Sequence, residues 1–157
     1  MADERSDDSV RVSVRVNADV ATTFRLFTEK TDAWWKRGPR YRMAGSSHGT
    51  LHLEPFVKGR LFESFDVAGV TRVVRIGRVR TWEPPARLVF EWRAVHSAPD
   101  EVTEVEVTFA PNDDATRVTL THRGWNELGA GHPARQTLDP ISAFWSELLG
   151  SLAALAV

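Results

Sequence analysis

Residues Leu138 to Val157 set the terms for everything before them, because they read as one amphipathic helix whose apolar face is too wide to stand alone in water. Asp139 suits the N-cap and Pro140 the first helical position. Ile141, Phe144, Trp145, Leu148, Leu149, Leu152 and Leu155 then follow at three- and four-residue spacing. An isolated helix of this length is marginal, so it must lie against a large apolar surface built by the preceding residues. Whether that surface closes over the helix or leaves a hollow is the functional question.

A chain of 157 residues can supply such a surface, since a domain of this size buries roughly 70% of what its unfolded form exposes. One domain is expected over residues 9–157, behind a disordered acidic tail over residues 1–8. A net charge of −1 and 42% hydrophobic residues argue against a nucleic-acid binder driven by charge. The absence of cysteine excludes thiolate catalysis and cysteine-ligated metal. No apolar run reaches membrane-spanning length and the first residues lack a signal-peptide core, so neither membrane insertion nor export is expected and a cytoplasmic location is.

Val10, Val12, Val14 and Val16 alternate with Arg11, Ser13 and Arg15, the pattern of a strand with one buried face. Asp19 can cap a helix carrying Val20, Phe24 and Phe27, and Thr31 or Asp32 can start a short second one carrying Trp34 and Trp35. Strand signals return around Leu51 and Leu53, and over Leu61 to Phe65. Val70 to Trp82, Arg87 to Arg93, Val102 to Phe109 and Thr116 to His122 then read as an antiparallel meander with short turns.

Facing suggests the register. Keeping Leu88, Phe90 and Trp92 on one face with Val105, Val107 and Phe109 pairs Trp92 with Val105 and Phe90 with Val107. It then pairs Val107 with Val118, Val105 with Leu120, and Thr103 with His122, and sets Arg93 by Glu104 and Arg117 by Thr108 outside. A tight turn at Pro84-Pro85 brings Val79 opposite Phe90 and Gly77 opposite Trp92, with room for the indole over the glycine. Val74 and Ile76 have the wrong parity to share a face with Val79, so a bulge near Gly77 is expected. Without it Arg75 points inward.

Strand, two short helices, six further strands and a long helix is the order of the helix-grip fold, an α+β architecture in which a curved antiparallel sheet of about six to seven strands wraps the last helix. Several motifs agree: Phe24-x-x-Phe27-Thr28 before Trp34-Trp35; Gly59-Arg60 before Glu63; Gly77-x-Val79-x-x-Trp82-Glu83-Pro84-Pro85-x-x-Leu88-Val89-Phe90-x-Trp92; Thr103-Glu104-Val105-x-Val107; and Thr116 to His122 before Gly124-Trp125. The sequence thereby resembles the START-like (SRPBCC, Bet v 1-like) superfamily, and within it the bacterial relatives of the Hsp90 ATPase activator's C-terminal domain. It departs from them in two places. Lys58 stands where a glycine is usual, and Ile141 to Trp145 replaces a Gly-Trp pair while keeping the tryptophan.

The resemblance implies a cavity between sheet and helix and a small apolar ligand. Six tryptophans and eight phenylalanines point the same way, because so many indoles are hard to pack with every N–H satisfied. Trp35, Phe62, Trp82, Phe90, Trp92, Val105, Val107, Leu120 and Trp145 are expected to line the cavity, with Thr103 beside His122. His122 is either the polar anchor for a ligand or a core-capping histidine bonded to Thr103 or a carbonyl. Glu63 matches a family glutamate; parity does not fix its facing, and if it points inward it needs a donor, with Arg75 and Arg60 the candidates.

Glu104 and Glu106 share the face opposite Val105 and read as solvated, not as a catalytic pair. Arginines 72, 75, 78 and 80 read as cross-strand partners of the neighbouring glutamates. His48 and His52 have helical ligand spacing in a strand-like segment, where they stand too far apart for one ion, and no cofactor or metal is expected. Beyond Pro140 the only charge is Glu147, and Ala143, Ser146, Gly150 and Ala154 form a small outer face suited to a homodimer. Three functions follow: a non-enzymatic binder of a small hydrophobic or aromatic molecule, which is preferred; an Hsp90-activator-like interaction module, which a closed, dry core would favour; and a polyketide cyclase-type enzyme.

Overall fold

A computed structural model of the protein describes residues 4–5, 9–42, 49–93, 102–125 and 138–156. The alternating valines form β2 (Ser9–Val16), with Val10, Val12 and Val16 buried. Within the stretch read as a tail, β1 (Glu4–Arg5) pairs with β2, Arg5 opposite Val10. Asp19 caps α1 (Val20–Glu29) as expected, its carboxylate accepting the Thr22 N–H at 2.8 Å. This helix buries Phe24 and Phe27, and the hydroxyls of Thr28 and Thr31 donate to the Phe24 and Phe27 carbonyls, each at 2.8 Å. Those two bonds fasten the corner between α1 and α2 (Thr31–Trp34).

Six strands follow: β3 (Gly49–Leu53), β4 (Arg60–Val67), β5 (Val70–Glu83), β6 (Arg87–Arg93), β7 (Val102–Asn112) and β8 (Ala115–Arg123). They close with β2 and β1 into one curled antiparallel sheet of order β1-β2-β8-β7-β6-β5-β4-β3. With the two-residue β1 the count is eight, one more than the sequence suggests. α3 (Leu138–Leu155) lies in the concavity, opening one residue ahead of the expected cap. Its Trp145, Leu148, Leu149 and Leu152 are fully buried among Val10, Leu88, Phe90, Val105, Val107 and Leu120 of the sheet. The helix-grip arrangement is therefore present. No helix of the described residues is long and apolar enough to cross a membrane.

The faces expected for β6, β7 and β8 are correct and the two registers between them are not. Val105 pairs with Phe90 and His122, and Val107 with Leu88 and Leu120, so Trp92 lies opposite Thr103 instead of Val105. Glu91, not Arg93, stands beside Glu104, and Arg117 lies beside Ala110 instead of Thr108. Each pairing is displaced by two residues. At β7–β8 the cause is the turn: Asn112 pairs with Ala115, leaving only Asp113 and Asp114 in the loop, and Asp113 takes a φ of 55°.

Between β4 and β5 the register shifts so that Leu61 faces Gly77 and Phe62 faces Arg75, leaving Ile76 as the extra residue. That is the anticipated bulge, and it turns Arg75 outward. Gly77 is required for a different reason from the one expected. A Cβ there would lie 1.6 Å from the Glu91 carbonyl oxygen, so it is the β6 backbone, not the Trp92 indole, that demands glycine.

Lys58 makes its departure from the resemblance physical. Its φ is 72°, in the left-handed region that a side chain disfavours by roughly 1–2 kcal/mol. Lys58→Gly removes that strain and costs part of it back in unfolded-chain entropy. The expected outcome in urea unfolding is a gain of about 0.5–1 kcal/mol.

Candidate functional site

At one end of the sheet–helix interface the rings of α2, β6 and α3 converge. Trp35 stacks on Trp92 with centroids 6.1 Å apart and planes 15° apart. Trp145 meets both edge-on, at 5.7 Å from Trp35 and 5.1 Å from Trp92. Phe144 lies against all three, and Tyr41 stacks on Phe144 at 5.7 Å. The Tyr41 hydroxyl donates to Glu147 at 2.7 Å, and Arg40 pairs with the same carboxylate at 2.9 Å. Trp92 and Phe144 are buried but for 9% each, and Tyr41 is half-buried.

Behind the rings lies a buried polar relay whose direction can be assigned. The Trp145 indole can only donate, so its N–H at 3.1 Å makes His122 Nδ1 an acceptor. Nε2 then carries the ring proton and donates to Thr103 Oγ1 at 2.6 Å, and Thr103 passes its own proton to the Trp92 carbonyl at 3.2 Å. His122 is fully buried, and burial lowers its pKa from 6.5 to about 3. Both ring nitrogens are therefore engaged within the protein. Of the two roles open to His122, the geometry gives the core-capping one, through a diagonal contact with Thr103 instead of the direct pairing expected.

A second polar group ties α2 to the sheet edge. The Arg42 guanidinium, its side chain 1% exposed, donates to Asp32 Oδ1 at 2.6 Å, to the Gly49 carbonyl at 3.2 Å and to the Trp35 carbonyl. Arg37 also reaches Gly49 O and Asp32 Oδ2, at 2.8 and 3.1 Å. Burial alone would raise the Asp32 carboxyl. The Leu51 N–H and the Arg42 side chain outweigh it and hold the group below its ordinary value. Glu63 lies alongside, fully buried. It shares the inner face with Leu51 and Val74, and its Oε2 fills the space where a Gly49 side chain would stand, 2.4 Å from that Cβ position.

The residues expected to line a cavity are thus divided. Trp35, Trp92, Trp145, Thr103 and His122 come together; Phe90, Val105, Val107 and Leu120 pack beneath α3; Trp82 sits apart, against Phe24 at 5.2 Å. Phe62 is a correction. It pairs with His52 and Arg75 on the outer face, where His52 stacks on it at 4.8 Å and the Arg60 guanidinium lies 4.4 Å above it. Glu63 points inward while Arg75 points outward with Phe62, and Arg60 is turned to Glu54 at 3.0 Å.

The indole count also proves a weak argument for a hollow. Trp34, Trp35, Trp125 and Trp145 are buried and each donates its N–H, to Phe27 O, Tyr41 O, His122 O and His122 Nδ1. Nothing in the sequence distinguishes Tyr41 and Arg42 from surface residues, and Asp32 is legible there only as a possible helix start. Phe144 was legible as core only. On the convex face Arg80 bridges Glu91 and Glu104, and Arg123 bridges Glu104 and Glu106, so the cross-strand pairing expected for Arg80 is present.

A family model described as "Activator of Hsp90 ATPase homolog 1-like protein" matches residues 17–156. Among solved structures the chain is similar to Txn09, described as an anthrahydroquino-γ-pyrone synthase complexed with SUM, at 30% identity and TM-score 0.60, covering 96% of this chain and 99% of that one. A protein from Arthrobacter aurescens is 18% identical at TM-score 0.69, covering 99% of this chain and 90% of that one. Ms6760 from Mycobacterium smegmatis is 16% identical at TM-score 0.69, covering 99% and 96%. These last two show the fold alone. No curated protein matches the sequence.

Proposed function

This chain belongs to the activator of Hsp90 ATPase homolog 1-like family, and on that premise we propose that it binds a small hydrophobic or aromatic molecule, without turning it over, at the ring cluster between sheet and α3. The fold supports a ligand-binding domain. The observation that carries the finer reading is the convergence of Trp35, Trp92, Trp145 and Phe144 at one end of the sheet–helix interface. Flat rings recognise an aromatic ligand by stacking. His122, with both nitrogens engaged, has no part in this contact.

Native mass spectrometry of protein purified from its own host is expected to show a co-purifying small molecule. A panel of lipids and aromatic metabolites is expected to contain one that stabilises the fold by about 2.7 kcal/mol at a hundredfold excess over its Kd. Repeated recovery of empty protein, with no stabilisation across the panel, overturns the reading. Cyclase-type chemistry is a second reading, favoured by the similarity to Txn09; recovery of a bound polyketide in altered form would select it.

A homodimer through Ala143, Ser146, Gly150 and Ala154 belongs to the same proposal. Ala143, Gly150 and Ala154 are exposed on α3, and a Cβ built on Gly150 meets nothing within 4 Å, which supports close approach of a second helix. Sedimentation at tens of micromolar, on the order of ordinary interface affinities, is expected to show a dimer, and a monomer removes it.

A further inference from the structure

The sheet edge at β3 is only half covered. Thr50 and His52 stand opposite Ser64 and Phe62, and the Glu54 N–H donates to Arg60 O at 2.9 Å. The alternation of an antiparallel ladder then points the backbone groups of Gly49, Leu51 and Leu53 away from β4. The first part of that outward row is occupied: Gly49 C=O accepts from Arg37 and Arg42, and the Leu51 N–H donates to Asp32 Oδ1 at 2.9 Å. Among the described residues no partner meets Leu51 C=O or the N–H and C=O of Leu53.

These groups face a cleft of about 560 Å³ between β3 and the α1–α2 corner, walled by Thr28, Lys30, Ala33, Leu53 and Pro55. Natural proteins usually blunt an open edge with a charge, a proline, a bulge or a covering element. Here the covering side chains of Asp32, Arg37 and Arg42 stop at Leu51.

We infer that this half-open edge is a docking groove for an extended peptide segment of a partner protein, added to the sheet as a further strand beside β3. An extended backbone is the ligand whose alternating donors and acceptors match Leu51 C=O and the two Leu53 groups at the ~4.8 Å strand spacing. The charges at the cleft select a neutral stretch, because Glu29 and Lys30 offer one of each sign and Asp32 is already paired with Arg37 and Arg42. Immediately past Pro55, Phe56 and Val57 are 53% and 52% exposed. The groove lies apart from the ring cluster and stands whether or not that cluster binds a ligand.

The test is a displayed library of random dodecapeptides selected on the intact protein. The expected result is enrichment of uncharged, apolar sequences that slow hydrogen exchange at the Leu53 amide. Leu53→Pro removes an outward N–H without breaking a ladder bond, and should weaken these peptides at least tenfold. Ala33→Arg fills the cleft from the helix side, should do the same, and decides the matter if Leu53→Pro does not fold. No enriched peptide, protection at another surface, or full affinity in Ala33→Arg overturns the inference. So does a peptide-free dimer that protects Leu53, which would give the groove to a second copy.

Discussion

Trp145→Ala is expected to destabilise the protein by about 3–5 kcal/mol, the range for truncating a large aromatic in a packed core. That is a large share of the roughly 5–15 kcal/mol that holds a domain together. Trp145 is fully buried and touches Trp35, Trp92, Phe144 and His122. Alanine would leave a hollow between helix and sheet, flanked by Trp35 and His122, whose rings are tied to Tyr41 O and Thr103. It would also strip His122 Nδ1 of its donor. Trp145→Phe separates the two effects, since it keeps most of the ring contact and deletes only the N–H, for a loss of about 1–3 kcal/mol. Urea unfolding with an unchanged m-value checks both. A Trp145→Ala loss below 1 kcal/mol would mean that α3 is not gripped where the structure has it.

The elements and their faces were legible because a period of two or 3.6 residues survives in the sequence. The register of β6, β7 and β8 was not, and the reason is specific. A displacement by two residues leaves every side chain on its original face, so the pattern that places Val105 and Val107 inside is blind to whether Trp92 meets Val105 or Thr103. At β7–β8 only the length of the Asp113-Asp114 turn decides whether Val107 meets Val118 or Leu120.

Facing failed at Phe62 for a related reason, since Leu61-Phe62-Glu63-Ser64-Phe65 puts both apolar and polar residues on each face and gives no alternation to read. Arg42 carried no signal at all. Its burial depends on the Asp32 carboxylate and on four carbonyls that meet only once α2 has docked on β3. The family motifs reached Glu63 and Trp145 but not the groups around them, because those neighbours come from other parts of the chain.

His122 is expected to make the fold sensitive to acid well before the carboxylates titrate. Its unfolded pKa is near 6.5 and its native one about 3, so on acidification the unfolded chain takes up a proton that the native ring refuses. Stability attributable to this residue is full above pH 6.5 and falls as pH drops toward 3, with a slope that approaches ~1.4 kcal/mol per pH unit. The groups packed on the ring are Trp92, Thr103, Trp125 and Trp145, none of which titrates in that window.

The paired carboxylates Asp32, Glu54 and Glu106 are all held below their ordinary values. Their losses therefore begin at lower pH. Comparing urea midpoints of the native sequence and His122→Gln between pH 7 and 5 isolates the histidine, because glutamine cannot charge. The native protein is expected to lose about 1–2 kcal/mol more than the variant across that interval, whatever the variant's starting stability. Equal slopes would mean that the ring accepts its proton in the native state. The relay from Trp145 through His122 to Thr103 would then be arranged differently, since a doubly protonated imidazole cannot accept the Trp145 N–H.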